Sequence, residues 1–517
     1  MEPLRLLFRM MPHRATIFLF LLLSSVSLTT KAQTAPIDLE EAIRLALAKN
    51  YAVRVEAFNV PIAKAQVLAE YGKFDPSLDL QYLYTESGNP QTADPFSGNR
   101  PASSIVATDL YEMGVSGLMP WGLQYNVGGS LTNRRGSFND FSADYFSRVG
   151  IDLTQPLLRD FGFGAGLTTV RIAKTNRALS EWDYRQAVTD TITNVIVAYH
   201  DLFLATQTLR AAVRSRDLAA SLLTENERRF KAGNVSESDV TAAHARAAFR
   251  EDSILRAERS VKFQTNVLRQ LISDERDPIL LNLPLTIVPP PPVPDLRINP
   301  AEDYQLALAQ RPDYQRSRLL VRRQRLNRDF EANQRLPKVD LVGSYGYYGL
   351  GSTWPESRHN LEERDTRSYT AGAIVTVPLT FAQQRGRYRA ASLQLKQAET
   401  RVEQAEQQVL LDVANVAAEV DSAQQRIIAA QKARELSQRS LADELKLHRA
   451  GKSSTLFVLQ SQEFLSQAEL NEFAATSDAH KAIAEYDRQL GRTLEKHHVQ
   501  MADQKNQSIQ NPGIPRS

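Results

Sequence analysis

Two periodicities divide this chain. From about Thr168 to Ala232 there is neither Pro nor Gly, and apolar residues recur at Val188, Ile192, Val195, Tyr199, Leu202, Leu209 and Val213. Steps of three and four make a heptad seam. Leu395, Val402, Val409, Val413, Val416, Val420 and Ile427 repeat it within 383–450. At a rise of about 1.5 Å per residue, the stretches 168–232 and 383–450 predict helices on the order of 100 Å long. Each ends at a glycine, Gly233 or Gly451, which suits a helix C-terminus. A shorter helix returns after each turn, over 237–273 and 454–490. Helices this long need partners along their whole length.

Elsewhere the period is two. Leu78, Leu80, Tyr82 and Tyr84 alternate with Ser77, Asp79 and Gln81; Val339, Leu341, Tyr345 and Tyr347 alternate with Asp340, Ser344 and Gly346. Returning strands carry Val149, Ile151 and Leu153, and Ala371, Ala373, Val375 and Val377. Strands are thus expected at about 76–86, 146–155, 337–348 and 369–378. The stretch 110–133 has hairpin chemistry too, with Tyr111, Met113 and Val115 before a Pro120-Trp121-Gly122 turn and Tyr125, Val127 and Leu131 after it. The chain therefore holds four strands, or six if this hairpin joins them. Aromatics on an alternating apolar face suit transmembrane strands, although a half-buried soluble sheet alternates in the same way. A membrane barrel needs about eight strands or more. A barrel built from this chain must be shared between copies.

The two kinds of element occur twice, in the same order. Arg44–Tyr51 resembles Gln305–Pro312, and Pro76–Leu80 resembles Pro337–Leu341, both at an offset of 261. Arg229–Gly233 matches Leu447–Gly451 at 218, and Arg269–Leu271 matches Arg488–Leu490 at 219. The offset shrinks because the first half carries extra residues between about 85 and 145. Repeat 1 is 33–283, repeat 2 is 301–491, and a Pro-rich connector, 284–300, joins them. Each repeat opens with helical sequence, about 39–73 and 301–335, broken at Asn50-Tyr51 and Arg311-Pro312. The polar segment 492–517 lacks periodicity and is expected to be a disordered tail.

Composition changes the picture in three places. Arg5, Arg9 and Arg14 precede the apolar run Ile17–Leu23 and the small or polar residues up to Ala32. That is the layout of a signal peptide, 1–32. Those residues carry a net +3, equal to the net charge of all 517 residues, so the remainder is near neutral. No basic face remains to suggest nucleic-acid binding. There is no Cys, which excludes disulfides, thiolate metal sites and a lipidated N-terminal Cys. The mean hydropathy of −0.36 speaks against a helical membrane protein but not against a barrel of half-apolar strands.

The chain resembles the TolC-like outer membrane efflux proteins. The residues that carry the likeness are Asp38–Leu47, Gln155–Arg159, Arg229–Gly233 with Asp239-Val240, Arg311-Pro312-Asp313, Leu336-Pro337, Val377-Pro378-Leu379 and Gln489-Leu490-Gly491. Together they span about 37–491. The resemblance implies a mostly α fold with a membrane β part: a two-repeat α-helical barrel of long coiled-coil-like helices beneath a shared transmembrane β-barrel, as a homotrimer. It implies an exit duct in the outer membrane of a Gram-negative-type cell, with a long periplasmic portion. Such a duct meets a periplasmic adaptor and an inner-membrane RND or ABC transporter, and passively exports small toxic compounds or proteins. Without a lipidated Cys, strands alone would hold the membrane.

The same resemblance places the Gly turns at the periplasmic entrance. Asp239 stands where the family has a gate acid. The usual Tyr and Arg partners are replaced by His448 and Ser453, which leaves Arg449 or Lys452 as cationic partners. Phe457 and Gln460 occupy positions that elsewhere carry an acidic ring, so a hydrophobic gate is expected in its place. Asp239 is equally suited to a helix N-terminus on dipole grounds alone. The turn residues Gly233, Asn234, Val235 and Ser236, and Gly451, Ser453 and Ser454, are the adaptor-contact candidates, or plain hairpin turns.

No enzyme is expected. The eight His are scattered without metal-ligand spacing. Gly162–Gly166 lacks the phosphate-loop fingerprint and suits a flexible joint between strand and helix. No cofactor and no metal are expected, and energy for export must come from a partner. The other reading of the long helices is a secreted coiled-coil structural or adhesion protein without a pore.

Overall fold

The computed structural model describes residues 36–90, 104–137, 142–233, 235–274, 276 and 285–499. The expected leader, 1–32, lies outside the described residues, as do Asn234 and 500–517. Repeat 1 runs α1 (Leu39–Lys49), α2 (Tyr51–Gly72), β1 (Ser77–Asn89), β2 (Ser104–Leu118), β3 (Gln124–Gly136), β4 (Asp144–Pro156), α3 (Gly162–Gly166), α4 (Thr168–Lys231) and α5 (Glu237–Ile272). Repeat 2 runs α6 (Pro300–Gln310), α7 (Pro312–Gln334), β5 (Lys338–Gly351), α8 (Trp354–Glu363), β6 (Thr366–Thr376), α9 (Ala382–Arg449) and α10 (Thr455–Leu490), followed by α11 (Thr493–Lys496). Hairpin β2–β3 is the extra length of the first half.

The helix breaks are joints. Asn50 ends α1 and caps α2: its side-chain oxygen accepts from the Ala52 N–H at 2.9 Å, and its Nδ2 donates to the Leu271 carbonyl on α5 at 3.1 Å. The counterpart Arg311 is buried and donates from Nη2 to Asp313 at 2.8 Å and to Asp412 on α9 at 2.9 Å. The heptad seams are the cores. Val188, Ile192, Val195, Tyr199 and Leu202 of α4 pack with α1 and α5. Val409, Val413, Val416 and Val420 of α9 pack with α6, α7 and α10. The connector is strapped down rather than free. Tyr199 donates its hydroxyl to the carbonyls of Val288, at 2.6 Å, and Ile37, at 3.1 Å.

The expected tail needs correction. The disordered tail placed at 492–517 is ordered at its start, since α11 follows α10 directly. Leu494 is buried in the first-repeat core, and Arg492 and Lys496 both pair with the buried Asp487. One desolvated carboxylate satisfied by two cations orders a segment that has no periodicity of its own.

A stacked pair of imidazoles, one buried and one half-buried, lies between α4 and α10. His200 stacks on His480 with ring centroids 4.3 Å apart. His480 Nε2 meets the Pro291 carbonyl of the connector at 3.1 Å. Burial, reinforced by His480 and Lys481, pushes His200 down to about 3.

All six strands form one antiparallel sheet in the order β1-β2-β3-β4-β5-β6, so the hairpin adds two strands to the expected four. The register sorts its two faces. One carries Leu80, Met113, Val149 and Tyr347 in one row and Leu78, Val115, Val127, Ile151, Tyr345 and Tyr369 in the next. The other carries Asp79, Gly114, Asn126, Asp152 and Ser344, also row by row. An apolar face backed by a polar one is the alternation of a barrel wall.

One feature went unanticipated, and a second expectation is overturned. Helix α8 lies on the apolar face. Ser357 is wholly buried, with its hydroxyl 2.9 Å from that of Ser147, and a side chain on Gly349 would meet the Ser357 carbonyl at 2.1 Å. The Gly162–Gly166 joint is also tightly packed, not flexible. A Cβ on Gly166 would lie 2.1 Å from the Pro120 carbonyl, the Gly162 N–H donates to the Trp121 carbonyl at 2.9 Å, and Trp121 meets Phe163 edge-on. The β2–β3 turn is thereby locked onto the start of α4.

The protomer has two flanks. At the level of α2 the helices pack in the order α2, α4, α7, α9; nearer the Gly turns the order is α5, α4, α10, α9. Edge strand β1 follows α2 and edge strand β6 precedes α9. Apolar side chains stay exposed on the flanking helices: Val55, Phe58 and Ile62 of α2, Phe249 and Phe263 of α5, and Leu410, Ile428 and Leu436 of α9. Among the described residues no helix is long and apolar enough to cross a membrane.

Gly166→Ala is expected to destabilise the joint by about 1–3 kcal/mol, seen as a lower melting temperature. Gly164→Ala, with nothing within 4 Å of the added methyl, is expected to leave it unchanged; equal melting temperatures would contradict the packed joint. His200 makes a second prediction. Its folded pKa lies below the unfolded value, so below about pH 6.5 the unfolded chain takes up a proton that the folded chain refuses. Stability is expected to fall as pH drops from about 6.5 towards 3, and His200→Gln to reduce that slope in melting curves. An unchanged slope would remove His200 from the account.

Candidate functional site

The two Gly turns lie side by side at the end of the helices away from the sheet. α4 closes with the Gly233 N–H donating to the Phe230 carbonyl at 2.9 Å, and Gly233 has φ +76°. α9 closes with Gly451 at φ +71°, while the Gly451 N–H donates to His448 at 3.0 Å and the Lys452 N–H to Leu447 at 2.9 Å. Positive φ is why each position is glycine.

Asp239 is held locally. Its Oδ2 accepts from the Ser236 hydroxyl at 2.7 Å and the Ser236 N–H at 3.2 Å, while the Ser236 hydroxyl accepts from the Asp239 N–H at 3.2 Å. This capping box opens α5. Arg449 and Lys452 are exposed, and neither pairs with Asp239 among the described residues. Phe457 and Gln460 project from the exposed side of α10. Val235, Ser236, Ser453 and Ser454 shape the two turns, with Ser236 capping α5 and Ser454 at the start of α10.

A different network binds the hairpins together. His448 is buried, its Nδ1 faces the Ser453 carbonyl at 3.1 Å, and its Nε2 faces Arg229 Nη1 at 3.2 Å. A proton on Nδ1 satisfies both contacts: Nδ1–H donates to the carbonyl and Nε2 accepts from the guanidinium. Arg229 also donates to Glu225 at 3.0 Å, and Ser453 bonds to Glu444. Asn226, fully buried, lies 3.4 Å from the Thr455 hydroxyl on α10. Of the expected residues, His448 and Ser453 meet; Asp239 stands apart. Arg229, Asn226 and Glu444 were not singled out in advance. The available signal was the α4 seam, which continues through Ala219 and Leu222 to Asn226 and Arg229 and so puts polar groups on the packed face. A polar residue on such a seam specifies register.

The family model for outer membrane efflux proteins matches residues 42–273 and 304–492, one segment in each repeat. The chain belongs to the outer membrane efflux protein family. It is therefore an exit duct of the tripartite efflux type, located at the outer membrane. Solved channels share the fold. The CmeC outer membrane channel of Campylobacter jejuni aligns over 88% of this chain and 85% of its own, at 16% identity and a TM-score of 0.65. The VceC outer membrane protein of Vibrio cholerae aligns over 88% and 96%, at 17% and 0.64. The outer-membrane channel OprN aligns over 88% and 89%, at 17% and 0.66. No curated protein sequence matches the chain. Family membership replaces the reading as a pore-free secreted rod.

The tip network of this efflux protein predicts two separable effects. Asp239→Ala is expected to cost about 1 kcal/mol at the start of α5 and to raise hydrogen exchange there alone. Arg229→Ala is expected to raise exchange around 448–454. Identical exchange patterns in the two variants would show a single tip unit and contradict the division.

Proposed function

We propose that three copies close flank to flank, joining β6 and α9 of one to β1, α2 and α5 of the next. The carrying observation is the amphipathic six-stranded sheet with two free edges. A free edge in lipid is costly, and six strands are too few to close alone. Three copies make three times six, or 18, strands, the size at which a barrel encloses an aqueous channel. The polar face lines the channel and the apolar face meets outer-membrane lipid. The same rotation stacks the long helices into a periplasmic tunnel beneath.

The Gly turns then form the periplasmic mouth. Gly233, Asn234, Val235 and Ser236 with Gly451, Ser453 and Ser454 present themselves to a periplasmic adaptor, through which an inner-membrane RND or ABC transporter delivers small toxic compounds or proteins. Asp239 keeps one carboxylate oxygen outside its capping box, available to Arg449 or Lys452 of a neighbouring copy as a gate contact. Phe457 and Gln460 put no charge at the constriction, so Phe457 supports gating by dewetting. The chain is a passive conduit with no part in chemistry.

Purified protein in a planar bilayer is expected to conduct in discrete steps with weak cation preference, and Asp239→Ala is expected to raise the open conductance. Absence of steps would refute the pore. Unchanged conductance and closed fraction in the variant would refute the gate. Strong cation selectivity would place acidic residues at the constriction and contradict the role of Phe457.

A further inference from the structure

The exposed positions of α10 fall on one stripe: Phe457, Gln460, Phe464, Gln467 and Asn471, with Leu456 at its edge. Steps of three and four residues keep them on one face of the helix. Phe457 is 56% exposed and Phe464 60%. Seven residues separate the two, so Phe464 stands two turns, about 10 Å, nearer the sheet on the same face.

The connector shows which way that face looks. α10 packs between α4 and α9, so in a ring of copies one of its free sides faces the duct and the other faces away. His480 marks one side. Its Nε2 meets the Pro291 carbonyl at 3.1 Å, and Val293, Leu296 and Ile298 of the connector pack on the second-repeat core. Sixteen residues separate Phe464 from His480. That is about four and a half turns, which puts them on opposite sides of the helix. The connector is a second layer on the long helices. In a ring of three copies this layer belongs outside, since inside it would fill the bore. The phenylalanine stripe therefore faces the duct.

No residue of the stripe is charged. The carboxylates beside it are neutralised: Glu463 pairs with Arg250 of α5, Glu469 with Arg214 of α4, and Glu472 with Arg434 of α9. On α5 the repeat offset of 218 sets Asp239 at the height of Phe457 and Arg246 at the height of Phe464. One acid and one base balance across the two levels. Three copies then bring one phenyl group each to both heights. Apolar constrictions gate by dewetting, and a second one lengthens the stretch that an ion must cross without water.

We propose that Phe464 forms a second apolar ring behind Phe457, and that the two rings together are the barrier that closes the duct to ions. The proposal rests on the reading of the chain as a pore with its Gly turns at the mouth. The chain has no Cys, so Phe464→Cys can be treated in a planar bilayer with a cationic methanethiosulfonate reagent. The control is Gln462→Cys, two residues earlier and about 200° round the helix. The reagent is expected to step the current of Phe464→Cys channels once per copy and to leave Gln462→Cys channels unaltered. Phe464→Ala is expected to raise the closed-state leak at least about twofold, and Phe464→Leu, which keeps the ring apolar, to match the wild type. Current steps in both cysteine variants or in neither, an unchanged leak in Phe464→Ala, or an equal leak in Phe464→Leu overturns the second ring. Wild-type protein that never conducts overturns the pore reading itself.

Discussion

A sheet edge in hydrocarbon leaves its N–H and C=O groups without partners, at a cost of several kcal/mol for each. This sheet has two such edges, β1 and β6, and an apolar face that has no place in water. The rest of the molecule is arranged around that constraint. The same flank that carries β1 carries α2 and α5, and the flank that carries β6 carries α9. In the proposed ring, one rotation would pair the strands and bury exposed apolar residues of the flanking helices, such as Phe58, Phe249 and Leu436. The interface is head-to-tail, which makes a ring when the rotation closes.

Duplication makes the slice rigid enough for this. Each repeat has its own core, one centred on Tyr199 and one on Tyr486. Both tyrosines spend their hydroxyls on long-range partners: Tyr199 on Ile37 and Val288, and Tyr486 on Asp303 at 2.5 Å. The connector and the start of each repeat are thereby fixed against the long helices. The inserted β2–β3 hairpin widens the sheet without disturbing the frame, because its turn is held on the joint before α4 by the close approach of Gly166 to Pro120.

The large periodic features were legible in the sequence. The α4 and α9 seams, the four strands β1, β4, β5 and β6, the Gly turns and the order of the repeats come from spacing alone, and the family likeness supplied how copies combine. Less was legible where order comes from one non-local contact. Leu494 and Arg492 have no pattern; their order comes from the core and from Asp487. Gly166 looked like freedom and is instead a close approach. At the tip, motif position pointed to Asp239, whose carboxylate serves its own helix start, while the contact between hairpins runs through Arg229 and His448. His448 was among the candidates, but its partner Arg229 was hidden because a polar residue on a packed seam is invisible to apolar periodicity. Helix α8 was hidden because ten residues with one Ser at the contact carry no helical stripe.

The central claim is that β6 of one copy pairs with β1 of the next. The chain has no Cys, so introduced pairs react alone. The direct measurement combines Leu78→Cys on β1 with Tyr369→Cys, Ala371→Cys, Ala373→Cys or Val375→Cys on β6, oxidised in outer membranes. Disulfides need Cα atoms about 4.4–6.8 Å apart. The account predicts that at least one combination gives a covalent ladder ending at three chains. Failure of all four, or a disulfide closed within a single chain, would contradict it.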